Sequence, residues 1–206
     1  MIKTYGVQYL GSKAKIVDQI VNVAKELDVQ TTLDVFTGTT RVAQALRQNG
    51  IKVITSDLAE ASRVYSNALI RQHDNSHLQK YIDEMNNLEG YKGWITQNYS
   101  GGENWELPKD DGRYIYPLNA MKADAARDYV ETLNLNLIDK DTLICSIMFA
   151  LNKVNNSVGQ QQAYLKEWCV RSKKQIMFVI GITLWFVRIH THCIDQMCTC
   201  KYQEMY

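Results

Sequence analysis

Asp34, Gly38 and Asp57 are the residues whose types and spacing most clearly suit chemistry. Asp34 stands in a short apolar run at 32–36 that leads through a Gly/Thr-rich turn into a helical stretch. Gly38 lets that backbone turn tightly. A second apolar run, 51–55, ends in Ser56-Asp57-Leu58. Strand, glycine turn, helix and a second strand with a terminal acid make half of a nucleotide-binding α/β unit. The first turn meets the charged end of a ligand, and the second acid is placed to hydrogen-bond ribose hydroxyls. The pattern suits an adenosine-type cofactor. It is not a phosphate loop, because no Lys-Ser or Lys-Thr follows the glycine, and Thr40 and Val42 replace the later glycines of a dinucleotide fingerprint. An acid just before a turn with few glycines suits a cationic amino-acid end better than a pyrophosphate. The plainer reading is a strand followed by a glycine turn, common in any α/β protein.

A second candidate is Tyr9-Leu10-Gly11-Ser12-Lys13. Ser12 could simply cap the helix that follows. Alternatively the glycine turn presents Lys13 and Tyr9 at the open edge of the sheet, Lys13 pairing with a carboxylate.

Positioning these groups requires a specific set of elements. Ile16, Ile20, Val23, Ala24 and Leu27 recur at spacings of three and four, which predicts a helix over 14–27. Buried strands are predicted at 32–36 and 53–55. The crossover helix between them spans 40–49 and is stopped by Gly50. Further helices are predicted at 61–72, 78–88, 120–133, 141–153 and 163–171, with Asp139 or Asp141 capping that at 141–153. Residues 89–117 hold five glycines among aromatics and acids, a long irregular excursion.

Composition sets outer bounds. The chain has 206 residues, enough for one ordinary domain plus an insertion or tail. A net charge of +1 gives no global pull toward nucleic acid, so any such contact needs a local basic face. The N-terminus lacks an apolar signal core, so a cytoplasmic chain with free thiols is expected.

Here the residues support a resemblance. YLGSK at 9–13, LDVFTGT at 33–39 with RVAQAL at 41–46, and SDL at 56–58 resemble the adenine-specific DNA methyltransferases whose cofactor motifs come first in the chain. The resemblance continues through NAMKADAARDYVE and VNNSVGQQQAYLKEW and covers roughly 5–172. It implies an α/β fold, a partial Rossmann-like methyltransferase sheet with a mostly helical target-recognition insertion. It implies methyl transfer from S-adenosylmethionine to the exocyclic amino group of adenine in double-stranded DNA, as in restriction–modification. The divisions expected are a cofactor-binding part at 1–88, the insertion at 89–172 and an anomalous tail at 173–206.

By the same resemblance, Tyr9, Gly11 and Lys13 form the N-terminal cofactor motif, with Lys13 near the methionine moiety. Asp34, Phe36 and Gly38 bind the cofactor's amino-acid end. Asp57 takes the ribose hydroxyls, and Leu58 flanks the adenine. Thr40 departs from the family's usual glycine, and a β-branched residue is costly there if φ is positive. Asn155, Asn156, Gly159, Tyr164 and Lys166 are expected to meet DNA, since Asn can read adenine bidentately and Lys can meet phosphate. Lys122, Arg127, Arg171, Lys173 and Lys174 could add phosphate contacts, although a scattered basic set is more often a solvated face.

One family feature has no counterpart. The Asp-Pro-Pro-Tyr type loop holds the target adenine, accepting hydrogen bonds from its amine and stacking on the flipped base. The only prolines, Pro108 and Pro117, have no proline neighbour and follow neither Asn nor Asp. No catalytic residue is therefore assigned. The expectation is a chain truncated or frameshifted after about Lys174, with little activity alone. The alternative is a non-catalytic DNA-binding or specificity module, completed by a partner chain that carries the loop. The apolar run at 176–187 is too short for a membrane span, which needs about 20 residues, and could be a core strand or a partner surface. His190, His192, Cys193, Cys198 and Cys200 could hold zinc, but they form no regular C-x-x-C pair, so no metal is expected.

Overall fold

The computed structural model describes residues 2–7, 11–71, 74–100, 114–158 and 163–180. A 3₁₀ turn, Lys13–Lys15, precedes α1 (Val17–Glu26), and β1 (Thr31–Asp34), α2 (Arg41–Gln48) and β2 (Lys52–Thr55) follow. Next come α3 (Glu60–Ser66), running into a π-helical turn at Asn67–Arg71, then α4 (Gln79–Asn87) and α5 (Trp94–Tyr99). Two long helices, α6 (Pro117–Thr132) and α7 (Leu137–Val154), complete the described elements.

β1 and β2 pair in parallel, Thr31 opposite Lys52 and Asp34 opposite Thr55. Both first-strand and second-strand acids therefore lie at the same end of a small sheet. α2 ends as its sequence dictates, at Gly50 with φ +84°, a left-handed position that glycine adopts without a Cβ clash. One side of the unit is packed: Val17, Val21, Ala45, Leu46 and Ile51 form a buried cluster, with Val42 and Val53 against it. Each buried Val, Leu or Ile among them contributes about 2 kcal/mol.

The strands are not buried as the apolar runs predict. Their residues alternate between exposed and half-buried, and Leu33 and Ile54 are 58% and 43% exposed. Parallel sheets are normally covered on both faces. Among the described residues, the face carrying Leu33 and Ile54 has no such cover.

A second core joins α4, α6 and α7 through Leu78, Ile82, Met85, Val130, Leu143 and Ile147. Ile176, Phe178 and Ile180 enter the same core, while Met177 and Val179 between them are exposed. Side-chain amides hold this segment. Asn119 donates to the carbonyls of Ser172 and Lys174 and accepts from Ile176 N–H, and Asn86 pairs with both backbone groups of Phe178. A third cluster, Val64, Tyr65, Ala68 and Leu69 with Cys145, ties α3 and the π turn to α7. The packed clusters thus cross residues 88 and 173.

Three further expectations are corrected. Asn136, not Asp139 or Asp141, caps α7, its side chain accepting from the N–H groups of Ile138 and Asp139. The two aspartates serve elsewhere: Asp139 meets His77 Nε2 at 2.9 Å, and Asp141 pairs with Arg63 and accepts from Asn67 Nδ2 at 2.6 Å. The helix expected at 163–171 does not form. Cys169 N–H would have to donate to the Leu165 carbonyl, but Asn156 takes both groups with its own amide. The 89–117 excursion is not wholly irregular, since it contains α5; residues 101–113 lie outside the described set.

Candidate functional site

The turn after β1 and the turn after β2 are laced together. Ser56 N–H donates to the Asp34 carbonyl at 2.9 Å, and Thr37 N–H donates to the Ser56 carbonyl at 3.2 Å. The Asp57 carboxylate accepts from Gly38 N–H at 2.8 Å through one oxygen and from Ala59 N–H at 2.9 Å through the other. Gly38 has φ +51°, the left-handed conformation its lack of a Cβ permits. Burial pushes the Asp57 carboxyl upward in pKa. The N–H groups of Ala59 and Gly38, the Ser62 hydroxyl and the Leu58 N–H outweigh that and hold it below its ordinary value. Asp57 is thus fixed as an anion at the sheet's end.

This corner also holds unspent polar groups. Asp34 Oδ2 and Thr37 Oγ1 are buried without a hydrogen-bond partner. A buried group left unsatisfied costs about 1–3 kcal/mol, so such atoms call for a ligand or water. Phe36 and Leu58, in the same two turns, are exposed, Leu58 completely. An anion, an unsatisfied carboxylate oxygen, left-handed backbone and bare apolar side chains form a surface suited to a small ligand with donor and apolar parts.

The segment before the N-terminal motif is held against α2. Arg41, Gln44 and Gln48, spaced three and four apart, bind backbone groups of Lys3, Thr4, Tyr5 and Gly6. Gly11 is left-handed at φ +81°, and Lys13 opens the 3₁₀ turn that follows. Ser12 occupies the N-cap position of that turn, without a capping hydrogen bond from its side chain. Tyr9 lies outside the described residues.

The expected DNA-contact set divides. Asn155 and Asn156 are 7% and 0% exposed, and their amides are committed internally. Asn155 receives Arg171 Nη2 on both its carbonyl and Oδ1, at 2.9 and 2.8 Å, and Asn156 binds Leu165 and Cys169. Neither side chain is free to read a base here, and Arg171 is a brace rather than a phosphate contact. Lys122 likewise donates to the Leu88 carbonyl, and Arg127 pairs with Glu131. Tyr164 meets Tyr114 edge-to-face at 5.4 Å, and Lys166, Lys173 and Lys174 are exposed. Gly159 lies outside the described residues, as do His190, His192, Cys193, Cys198 and Cys200. The described residues contain no group of three or more potential metal ligands.

Sequence reasoning missed Asp124. This acid is 4% exposed and accepts four hydrogen bonds, from the N–H groups of Gly93, Ile95 and Thr96 and from the Thr96 hydroxyl. It fixes the start of α5 against α6. The available signal was an acid flanked by Ala123 and Ala125 in NAMKADAARD.

Comparison with known proteins now bears on this geometry. The model of the D12 class N6 adenine-specific DNA methyltransferases matches residues 9–180. The chain belongs to that family. The match includes both turns of the laced corner and ends at Ile180, a buried residue of the second core. Among its relatives, the modification methylase LlaI of Lactococcus lactis subsp. lactis is 26% identical over 187 residues, covering 82% of this chain and 28% of that protein. The modification methylase StsI of Streptococcus sanguinis is 29% identical over 183 residues, covering 80% of this chain and 27% of that protein. This D12 chain therefore spans less than a third of the length of those relatives. No solved structure matches it.

Proposed function

We propose that this D12 chain supplies the cofactor-binding and target-recognition part of an enzyme that methylates the exocyclic amino group of adenine in double-stranded DNA. The cofactor proposed is S-adenosylmethionine, and the observation that carries it is the anionic Asp57 laced to Gly38 beside the unsatisfied Asp34 Oδ2. Those residues fit it. Asp57 accepts hydrogen bonds from ribose hydroxyls, Asp34 and the Gly38 turn receive the amino-acid end, and Leu58 and Phe36 cover the apolar part of the ligand. Lys13, Gly11 and Tyr9 close the carboxylate side. Bound there, the cofactor supplies an electrophilic methyl group.

The remaining assignments belong to the same reading. The sheet is the start of a Rossmann-like unit, and residues 89–172, with α5, α6 and α7, form the target-recognition insertion. Tyr164, Gly159 and Lys166 face DNA, while Asn155 and Asn156 shape the segment that carries them. Ile176, Phe178 and Ile180 belong to the second core, and from 173 onward the sequence has no counterpart of the family's Asp-Pro-Pro-Tyr loop, so we read this chain as catalytically incomplete. A cytoplasmic location accords with modification of DNA, and no described helix is long and apolar enough to cross a membrane.

The bare sheet face at Leu33 and Ile54 favours a second reading, in which a partner chain carrying the loop packs there and completes the site. The test is transfer of labelled methyl from S-adenosylmethionine to duplex DNA. The purified chain should crosslink to the cofactor and transfer almost nothing. Strong methylation by the chain alone refutes incompleteness, and absence of crosslinking refutes the cofactor site.

A further inference from the structure

We infer that Gln44 is a positioning residue for the cofactor: it locks the turn at Thr40 in a conformation that a threonine otherwise resists and ties it to the N-terminal segment. This inference rests on the cofactor reading above.

Thr40 is fully buried and has φ +61°. A β-branched residue in this left-handed region is an outlier, because its Cβ crowds the backbone. Thr40 also precedes α2 as its N-cap, where backbone is normally extended and the hydroxyl normally satisfies a helix N–H. Here it makes no such bond. Its hydroxyl oxygen instead accepts from Gln44 Nε2 at 2.9 Å.

The rest of the Gln44 amide is spent on the same junction. Tyr5 N–H donates to Gln44 Oε1 at 2.8 Å, and Gln44 Nε2 donates to the Tyr5 carbonyl at 2.8 Å and to the Thr39 carbonyl at 3.4 Å. The Gln44 side chain thus pairs with Tyr5 as a neighbouring strand would, while gripping Thr39 and Thr40. Gln44 is itself 1% exposed, so losing one of these partners would leave a buried polar group unsatisfied. The contact is tight as well as polar. A Cβ at Gly6 would come within 2.9 Å of Thr39 Oγ1. One amide therefore sets two quantities at once, the backbone path out of the Gly38 turn and the distance from that turn to the segment leading to Gly11 and Lys13.

The test is calorimetric titration of the full chain with S-adenosylmethionine, each variant being paired with its thermal unfolding midpoint. Gln44→Met keeps the volume and removes the amide, and should weaken binding about tenfold, the equivalent of one net buried hydrogen-bond set. Thr40→Ala keeps the strained Cβ without its hydroxyl and should weaken binding similarly. Thr40→Gly removes the strain and should bind within about threefold of wild type, and it should restore part of the loss when combined with Gln44→Met. Wild-type affinity in Gln44→Met with only a lowered midpoint overturns the inference, as does equal binding by Thr40→Ala and Thr40→Gly. If Gln44→Met does not fold, the two Thr40 variants decide, since they leave the amide in place. A wild-type chain that takes up no cofactor refutes the site reading, and this inference falls with it. A wild-type chain that binds, with variants contrary to expectation, refutes this inference alone.

Discussion

The turns after β1 and β2 and the segment at 155–171 both carry clustered polar side chains, yet they handle hydrogen bonding in opposite ways. Among the described residues of 155–171, the fold engages Asn155, Asn156, Ser157 and Arg171. Asn155 is gripped by Arg171, and Asn156 holds Leu165 and Cys169. Nearby, Asp124 takes four donors from the start of α5. At the strand ends the turns are cross-linked through Asp57, but Asp34 Oδ2 and Thr37 Oγ1 remain unsatisfied in a buried position. Buried unsatisfied side-chain atoms also occur at Tyr5, Asn75 and Asp141, so what marks the strand ends is such atoms beside an anionic carboxylate and the exposed Phe36 and Leu58.

Breaking the scaffold side should have the largest effects, and these should appear as stability. Asp124→Ala strands four donors and should cost about 3 kcal/mol in urea unfolding. Asn156→Ala should cost about 2 kcal/mol by the same measurement and should free 163–171, seen as faster amide exchange at Leu165 and Cys169. If either substitution is neutral, the scaffold assignment fails.

The site side should respond in binding instead. Lys166→Glu should weaken DNA affinity uniformly across sequences and lower the salt-dependence slope by about one, measured by fluorescence anisotropy at several salt concentrations. A sequence-selective loss would point to base reading at this position. The smallest effect is on pH dependence. Asp57 has a folded-state pKa below its unfolded value. Its contribution is therefore present above the unfolded value of about 4 and is lost as pH falls through the folded one. Wild-type stability should drop slightly more than that of Asp57→Asn in acid titration, because the carboxylate is largely exposed.

The order of elements was legible in the sequence because it rests on local signals. Both strands, the α2 crossover, its stop at Gly50 and the position of Asp57 just past the second strand follow from apolar runs and glycine positions. The left-handed backbone at Thr40, costly for a β-branched residue, was foreseeable from the departure at that one position. What could not be read depends on distant partners. Asn136 caps α7 because Asp139 and Asp141 are drawn to His77 and Arg63. Residues 163–171 are not helical because Asn156, many positions earlier, takes the groups a helix would use. The bare face at Leu33 and Ile54 was hidden for a related reason: an apolar run suits a buried strand, but covering it requires elements that the described residues do not contain.

The central claim is that the Asp34–Gly38–Asp57 corner is a cofactor site. Titration calorimetry of the wild-type chain and Asp57→Ala with S-adenosylmethionine tests it most directly. Saturable binding to the wild type, weakened about tenfold or more by Asp57→Ala, is the expected result. No binding by the folded wild-type chain, or equal affinity in the two proteins, would contradict it.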